Sequence, residues 1–374
     1  MIKKLSYVCT LVAAVLVLTS AKPDKAVAKY DAAMEKAVKE LHCVGLQTAV
    51  IKDKGIALSK AYGLSDIASN TAMTTTNAFK VGFCGRVVVP IAIYQLAEQK
   101  KLSFKDDISK YLGFELRNPD CPEIPITINH FLKQLSTLSE SDGHSKDLKA
   151  IENLKADDPN FANLWGNGKP GVTYNKFIKG SVILAAVVEK VSGQRFDEYA
   201  QEHIFAPLGI KASYSPQDFE DGVLVSSYKY NAGEFTPFKL YRKYNREDYV
   251  LGESTFQMRV NNDLMISAED IAKILLTIVN NGYCPLTKAT LFSGETAAKM
   301  LKPNKSNKRS GCAGITTKWV DGVLFYYATG AFGGTSGIWG FDPETKTGFV
   351  TLTNGVAEEG YMKEVREIFI DTML

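Results

Sequence analysis

The chain has 374 residues, of which 45% are hydrophobic and 10% aromatic, with a formal net charge of +3. That composition supports a large buried core in one large domain or two. The near balance of charge, with no run of like residues, excludes a nucleic-acid arm and a polybasic membrane patch. No repeat of fixed period and no low-complexity tract interrupts it.

At the N-terminus, Lys3 and Lys4 precede an apolar run over residues 7–18, followed by Thr19, Ser20 and Ala21. A charged start, a short apolar run and small residues at its end make a secretory signal peptide. A membrane span needs about 20 apolar residues, and this run is shorter. The expectation is cleavage near Ala21 and export to the periplasm or the extracellular space, with no stable membrane span. Loss of Cys9 would leave Cys43, Cys84, Cys121, Cys284 and Cys312, an odd set in which one thiol at least stays unpaired. His42, His130, His144 and His203 are scattered and no C-x-x-C pair exists. The residues therefore give no metal site, and no cofactor is expected.

Residues 31–41 predict a short amphipathic helix, and residues 47–51 a strand. A turn at Asp53-Lys54-Gly55 leads to a second strand through Ala61 and Tyr62. Residues 83–99 read as an apolar helix, in which Pro90 predicts a kink or a later start. Short helices are expected at 108–112 and 128–135, and a long one over 177–191 that stops at Ser192-Gly193. Residues 267–280 give the clearest helix: Ser267 and Asp270 cap it, and Ile271, Ile274, Leu275 and Ile278 form its buried stripe. Strands follow at 323–327, 335–341 and 348–353, with Gly330, Gly333-Gly334 and Asp342-Pro343 in the turns, and a helix closes the chain over 361–373. Strands at both ends with helices between them predict an α/β (α+β) fold. Its antiparallel sheet would be flanked by helices and built from both chain ends, residues 22–82 and 305–374. Residues 83–304 would form a mainly helical insertion.

Several stretches, in order over about residues 45–355, carry a resemblance. They are Phe79-Lys80-Val81-Gly82, the run from Leu102 through Asp106-Asp107 to Leu112, residues 126–138, and Pro170-Gly171 through Gly193 to Phe205-Ala206-Pro207-Leu208-Gly209. Ser267-Ala268-Glu269-Asp270 and residues 330–343 complete the set. Together the chain resembles the serine β-lactamase and penicillin-binding-protein superfamily, which includes class C β-lactamases, D-alanyl-D-alanine peptidases and esterases. The resemblance implies their transpeptidase-like fold. In such enzymes a serine at a helix N-terminus attacks an acyl carbon, and a lysine three residues on shares its helix face. A Tyr-x-Asn loop and a Lys-Thr-Gly or His-x-Gly strand supply the remaining groups, with backbone N–H donors for the oxyanion.

The family's spacing places its serine at Phe83, its lysine at Arg86, its tyrosine at Lys176 and the leading residue of its third motif at Ala328. Ile178 stands at the asparagine position. Phenylalanine has no nucleophile, and arginine keeps its proton and cannot serve as a base. The expected protein is a non-catalytic relative that binds a peptide-like or cell-wall-like small ligand, or a protein partner, in the old cleft. Arg86, Lys176, Thr329, Gly330 and Ala331 are its candidate binding residues, with the backbone N–H groups of Phe83 and Ala331 as anion donors. No nucleic acid is expected as a partner. The competing reading is an active serine hydrolase working through other residues, such as a displaced Ser181 or a shifted Tyr174-Asn175; the one Ser-x-x-Lys in the chain, Ser226 to Lys229, lies far from the family's nucleophile segment. Cys84 beside the nucleophile position reads as a buried structural thiol, since a one-residue shift turns a helical side chain by about 100°.

Overall fold

The computed structural model describes residues 24–140, 150–303, 315–320, 322–357 and 360–374. The expected signal peptide lies outside the described residues.

Eleven strands are described: β1 (Gly45–Lys52), β2 (Gly55–Asp66), β3 (Thr71–Ala72), β4 (Phe79–Lys80), β5 (Ser227–Asn231), β6 (Glu234–Phe238), β7 (Met265–Ile266), β8 (Thr316–Val320), β9 (Val323–Phe332), β10 (Thr335–Asp342) and β11 (Thr347–Thr353). Seven of them form one antiparallel sheet in the order β3-β2-β1-β11-β10-β9-β8. The two chain ends meet at its centre, where β1 pairs with β11 in the register Leu46↔Thr353 through Ile51↔Gly348. The fold is the mixed α/β one expected.

Ten α-helices accompany the strands: α1 (Lys25–Glu40), α2 (Val88–Glu98), α3 (Ser109–Leu112), α4 (Ile128–Leu132), α5 (Gly180–Ser192), α6 (Phe196–Ala200), α7 (Thr255–Met258), α8 (Ala268–Val279), α9 (Gly294–Leu301) and α10 (Tyr361–Met373). Side chains alternate across a strand, so each central strand feeds two cores. Leu46, Val50, Ile338 and Phe349 face Tyr30 and Met34 of α1 and Val365 and Phe369 of α10. Ala49, Ile51, Trp339, Val350 and Leu352 face the other way, into a core shared with α2, α5 and α8. Three layers result, with the sheet in the middle.

Several boundaries differ from the sequence expectation. The first helix starts six residues early by the chain's own numbering, at Lys25, where Asp24 accepts a hydrogen bond from Ala26 N–H at 2.8 Å. The helix expected over 83–99 is two pieces, a 3-10 turn at Gly82–Val87 and then α2. Pro90 falls in the first turn of α2, where its missing N–H leaves no intrahelical bond unmade, so it helps to start the helix and does not kink it. Gly330 was expected in a turn and lies inside β9, which runs on to Phe332; the turn belongs to Gly333 and Gly334, both at positive φ. The C-terminal signal of α5 is where it was expected, at Gly193 with φ +74°. Ser267 caps α8 by accepting from Asp270 N–H at 3.1 Å.

One buried carboxylate ties α5 to the start of α6 and to residues 249–255. Glu189 of α5 is fully buried and accepts four hydrogen bonds. Phe196 N–H (3.0 Å) and the Tyr249 hydroxyl (2.6 Å) reach its Oε1; Gly252 N–H (2.7 Å) and the Thr255 hydroxyl (2.5 Å) reach its Oε2. Burial still pushes its carboxyl above the ordinary carboxylate range, against those four bonds.

Candidate functional site

The site is built where the segment after β4 meets β9 of the sheet. β4 pairs with β7 (Phe79↔Ile266, Lys80↔Met265), and Val81 N–H continues the pairing to the Leu264 carbonyl at 3.0 Å. Gly82 then takes φ +53°, a conformation that favours glycine, and turns the chain into the 3-10 turn that carries Phe83, Cys84 and Arg86. Cys84 points inward. Its thiol is fully buried and donates to the Gly337 carbonyl at 3.3 Å, and its own carbonyl accepts from Trp339 Nε1 at 3.0 Å. Burial pushes the thiol well above its ordinary range, so it is held as packing and not as a thiolate. Cys43, Cys84, Cys121 and Cys284 are free thiols, and Cys312 lies outside the described residues.

Phe83 and Arg86 lie together, the guanidinium 5.6 Å from the ring centroid. Burial lowers the Arg86 pKa, and the charges of Glu140 and Tyr174 act to raise it. Glu140 is itself fixed: its carboxylate accepts from Ile178 N–H (2.9 Å) and Lys179 N–H (3.2 Å) ahead of α5. Its own N–H donates to the Lys176 carbonyl at 3.2 Å. Lys176 thus reaches this group through its backbone, while its side chain is exposed and makes no ion pair among the described residues.

β9 closes the other side. A Cβ on Gly330 would stand 2.4 Å from the Val81 carbonyl and 2.8 Å from the backbone nitrogens of Phe83 and Cys84. A Cβ on Gly82 would stand 3.6 Å from the Ala331 nitrogen. The backbones that carry the Phe83 and Ala331 N–H groups therefore run side by side. Ala328 is buried opposite Trp339, with its carbonyl 3.8 Å from the Cys84 sulfur, while Thr329 and Ala331 are exposed. Phe83, Arg86, Ala328, Gly330 and Ala331 are brought together, and Lys176 joins them at the edge. Substituting Gly330→Ala is expected to cost about 1–3 kcal/mol, because the new methyl meets backbone that cannot step aside. A urea-unfolding midpoint unchanged from wild type would contradict this close approach.

The other serines are engaged elsewhere. Ser181 Oγ donates to the Ile178 carbonyl at 3.0 Å. Ser226, just ahead of β5, donates to the Asp66 carboxylate, and Lys229 lies 4.0 Å over the Phe238 ring. Neither arrangement pairs a helix-borne hydroxyl with a base. Sequence reasoning passed over Glu140, Gln134 and the buried ion pair of Lys80 with Asp263 (2.7 Å), over which the Phe332 ring lies 4.4 Å from the ammonium. No spacing in the chain announces them.

The family model described as Beta-lactamase matches residues 30–368. The chain belongs to the Beta-lactamase family. Among curated relatives of this family member, Protein flp of Staphylococcus aureus (strain MW2) is 24% identical over 183 residues, 48% of this chain and 36% of its own length. The chain therefore spans little more than a third of that relative. Among solved structures, the octameric penicillin-binding protein homologue from Pyrococcus abyssi superposes with a TM-score of 0.72 at 20% identity, covering 92% of this chain and 77% of that one. The penicillin-binding protein from Bacillus halodurans gives 0.68 at 20% identity, over 90% and 98%. At such identity these structures share the fold. No described helix is long and apolar enough to cross a membrane.

Proposed function

We propose that this Beta-lactamase family member is exported, has lost acyl transfer, and works by binding a small peptide-like or cell-wall-like ligand in the cleft between β9 and the head of α2. The observation that carries this reading is the contact of Phe83 with Arg86, ring and guanidinium 5.6 Å apart, at the two positions where the sequence resemblance expects the family's serine and lysine. Neither group attacks a carbonyl or accepts a proton at ordinary pH. In another serine hydrolase, loss of the nucleophile alone costs about a millionfold in turnover. Backbone donors survive any side-chain change, so the N–H groups of Phe83 and Ala331 remain suited to an oxyanion. Arg86 and exposed Lys176 add positive charge, and Thr329 and Gly330 line the same strand. A carboxylate is the ligand group that this set suits.

The test is intact-mass measurement of the folded protein after exposure to a penicillin and to a fluorophosphonate. No adduct is expected; a stoichiometric adduct on a serine would overturn the loss of acyl transfer. Calorimetric titration with a short peptide, compared with its C-terminal amide, tests the binding half. The free carboxylate is expected to bind tighter, and Arg86→Gln to weaken it about tenfold, the loss of one charge-assisted hydrogen bond. Equal affinity for acid and amide would remove the carboxylate assignment.

A further inference from the structure

Beside Arg86 lies a cavity of about 20 Å³ whose lining includes Arg86, Gln134, Ser181, Phe131, Phe177 and Leu184. Two of these residues present buried polar atoms that have no hydrogen-bond partner among the described residues, Arg86 Nε and Gln134 Oε1. One is a donor and the other an acceptor. Buried polar atoms left unpaired are costly, and native interiors hold few of them. A third polar atom on the lining is Ser181 Oγ, which already donates its proton to the Ile178 carbonyl at 3.0 Å and so has only acceptor capacity left.

We infer that this cavity is a binding site for a single proton-bearing oxygen, which accepts from Arg86 Nε–H and donates to Gln134 Oε1. Size suits one oxygen, since a water needs about 10–15 Å³ measured in this way. Chemistry selects a hydroxyl type. A carboxylate oxygen would answer Arg86 and be repelled by Gln134 Oε1, and an ammonium would do the reverse. A water answers Arg86 Nε–H, Gln134 Oε1 and Ser181 Oγ together, the three hydrogen bonds typical of buried water. The hydroxyl of a small alcohol carries the same chemistry with one proton fewer, so it answers only two of the three. The apolar walls, Phe131, Phe177 and Leu184, offer it nothing else to bond to. The site holds Arg86 and does not depend on whether the cleft takes a ligand.

The experiment is solution NMR on the full chain, reading magnetisation transfer between Arg86 Hε and water, then repeating it through a methanol titration. A cross-peak to water that survives methanol assigns a buried water. A water cross-peak replaced by contacts from the methanol methyl to Phe131 or Phe177 assigns the hydroxyl of a small alcohol. Gln134→Met is expected to abolish the cross-peak; Ser181→Ala, which keeps both partners of the alcohol mode, is expected to weaken it only if water is the occupant. Absence of transfer from either solvent to Arg86 Hε in wild-type chain with a dispersed, folded spectrum would overturn the inference. That reading comes from the wild type alone, so it stands even if Gln134→Met fails to fold.

Discussion

Glu189→Ala is expected to lower unfolding stability by about 3–5 kcal/mol, because it removes the carboxylate that accepts from four donors in the interior. The arrangement is specific: each carboxylate oxygen of Glu189 receives one backbone N–H and one side-chain hydroxyl. Glu189→Gln keeps one acceptor oxygen and turns an NH₂ toward the other two donors, so an intermediate loss of about 2 kcal/mol is expected. The pH dependence has a definite sign. Burial raises the folded pKa above the ordinary 4.5, so the folded state binds more protons than the unfolded one in the window above 4.5. The contribution of this group to stability is therefore greatest below that window, falls as pH rises through the folded pKa, and is level beyond it. Glu189→Gln should remove that slope. Urea unfolding of wild type and both variants between pH 4 and pH 8 reads both effects. A loss below about 1 kcal/mol for Glu189→Ala would mean that the Tyr249–Thr255 segment is held by something else.

Asp263→Ala is the second large effect, about 3–5 kcal/mol, since it leaves the Lys80 ammonium charged and buried. Lys80 is 3% exposed and Asp263 6%. Their ion pair joins β4 to the turn ahead of β7, in the segment that leads into the Phe83–Arg86 turn. Burial raises the Asp263 pKa, and the charge of Lys80 opposes that rise, ahead of the weaker fields of Arg259 and Arg242. Lys80 also donates to the Leu240 carbonyl at 3.3 Å, so it organises more than one carboxylate. The pair replaced together, Lys80→Met with Asp263→Leu, is expected to stay within about 2 kcal/mol of wild type, because no lone charge is left in the interior. A double-mutant cycle by urea unfolding separates the cases. Additive single losses would show that the two groups are not coupled.

Much of the fold was legible because burial imposes a period on sequence. The stripe Ile271, Ile274, Leu275 and Ile278 with Ser267 at its head fixed α8 to within a residue, and Gly193 marked the end of α5 through its left-handed backbone. The strands after Val323 were legible as apolar segments set off by Gly333-Gly334 and Asp342-Pro343, yet β8 and the β5–β6 hairpin were not. Exposed strands such as β5 and β6, whose residues face mostly outward, carry no apolar alternation to read. Gly330 was misassigned for a physical reason: its lack of a side chain serves a close approach of two backbones, not a turn.

The sequence by itself determined the family: its ordered stretches carry the resemblance, and the Beta-lactamase model spans residues 30–368. It also determined that Phe83 carries no nucleophile and Arg86 no free base, whatever surrounds them. Tertiary structure alone decided what surrounds them. Glu140 acts on Arg86, Lys80 is neutralised by Asp263, and Gln134 lines the same small cavity as Arg86. Periodicity tells which face of an element is buried and is silent about its partner, whereas a charge or an unpaired N–H feels whatever the packed chain brings near it.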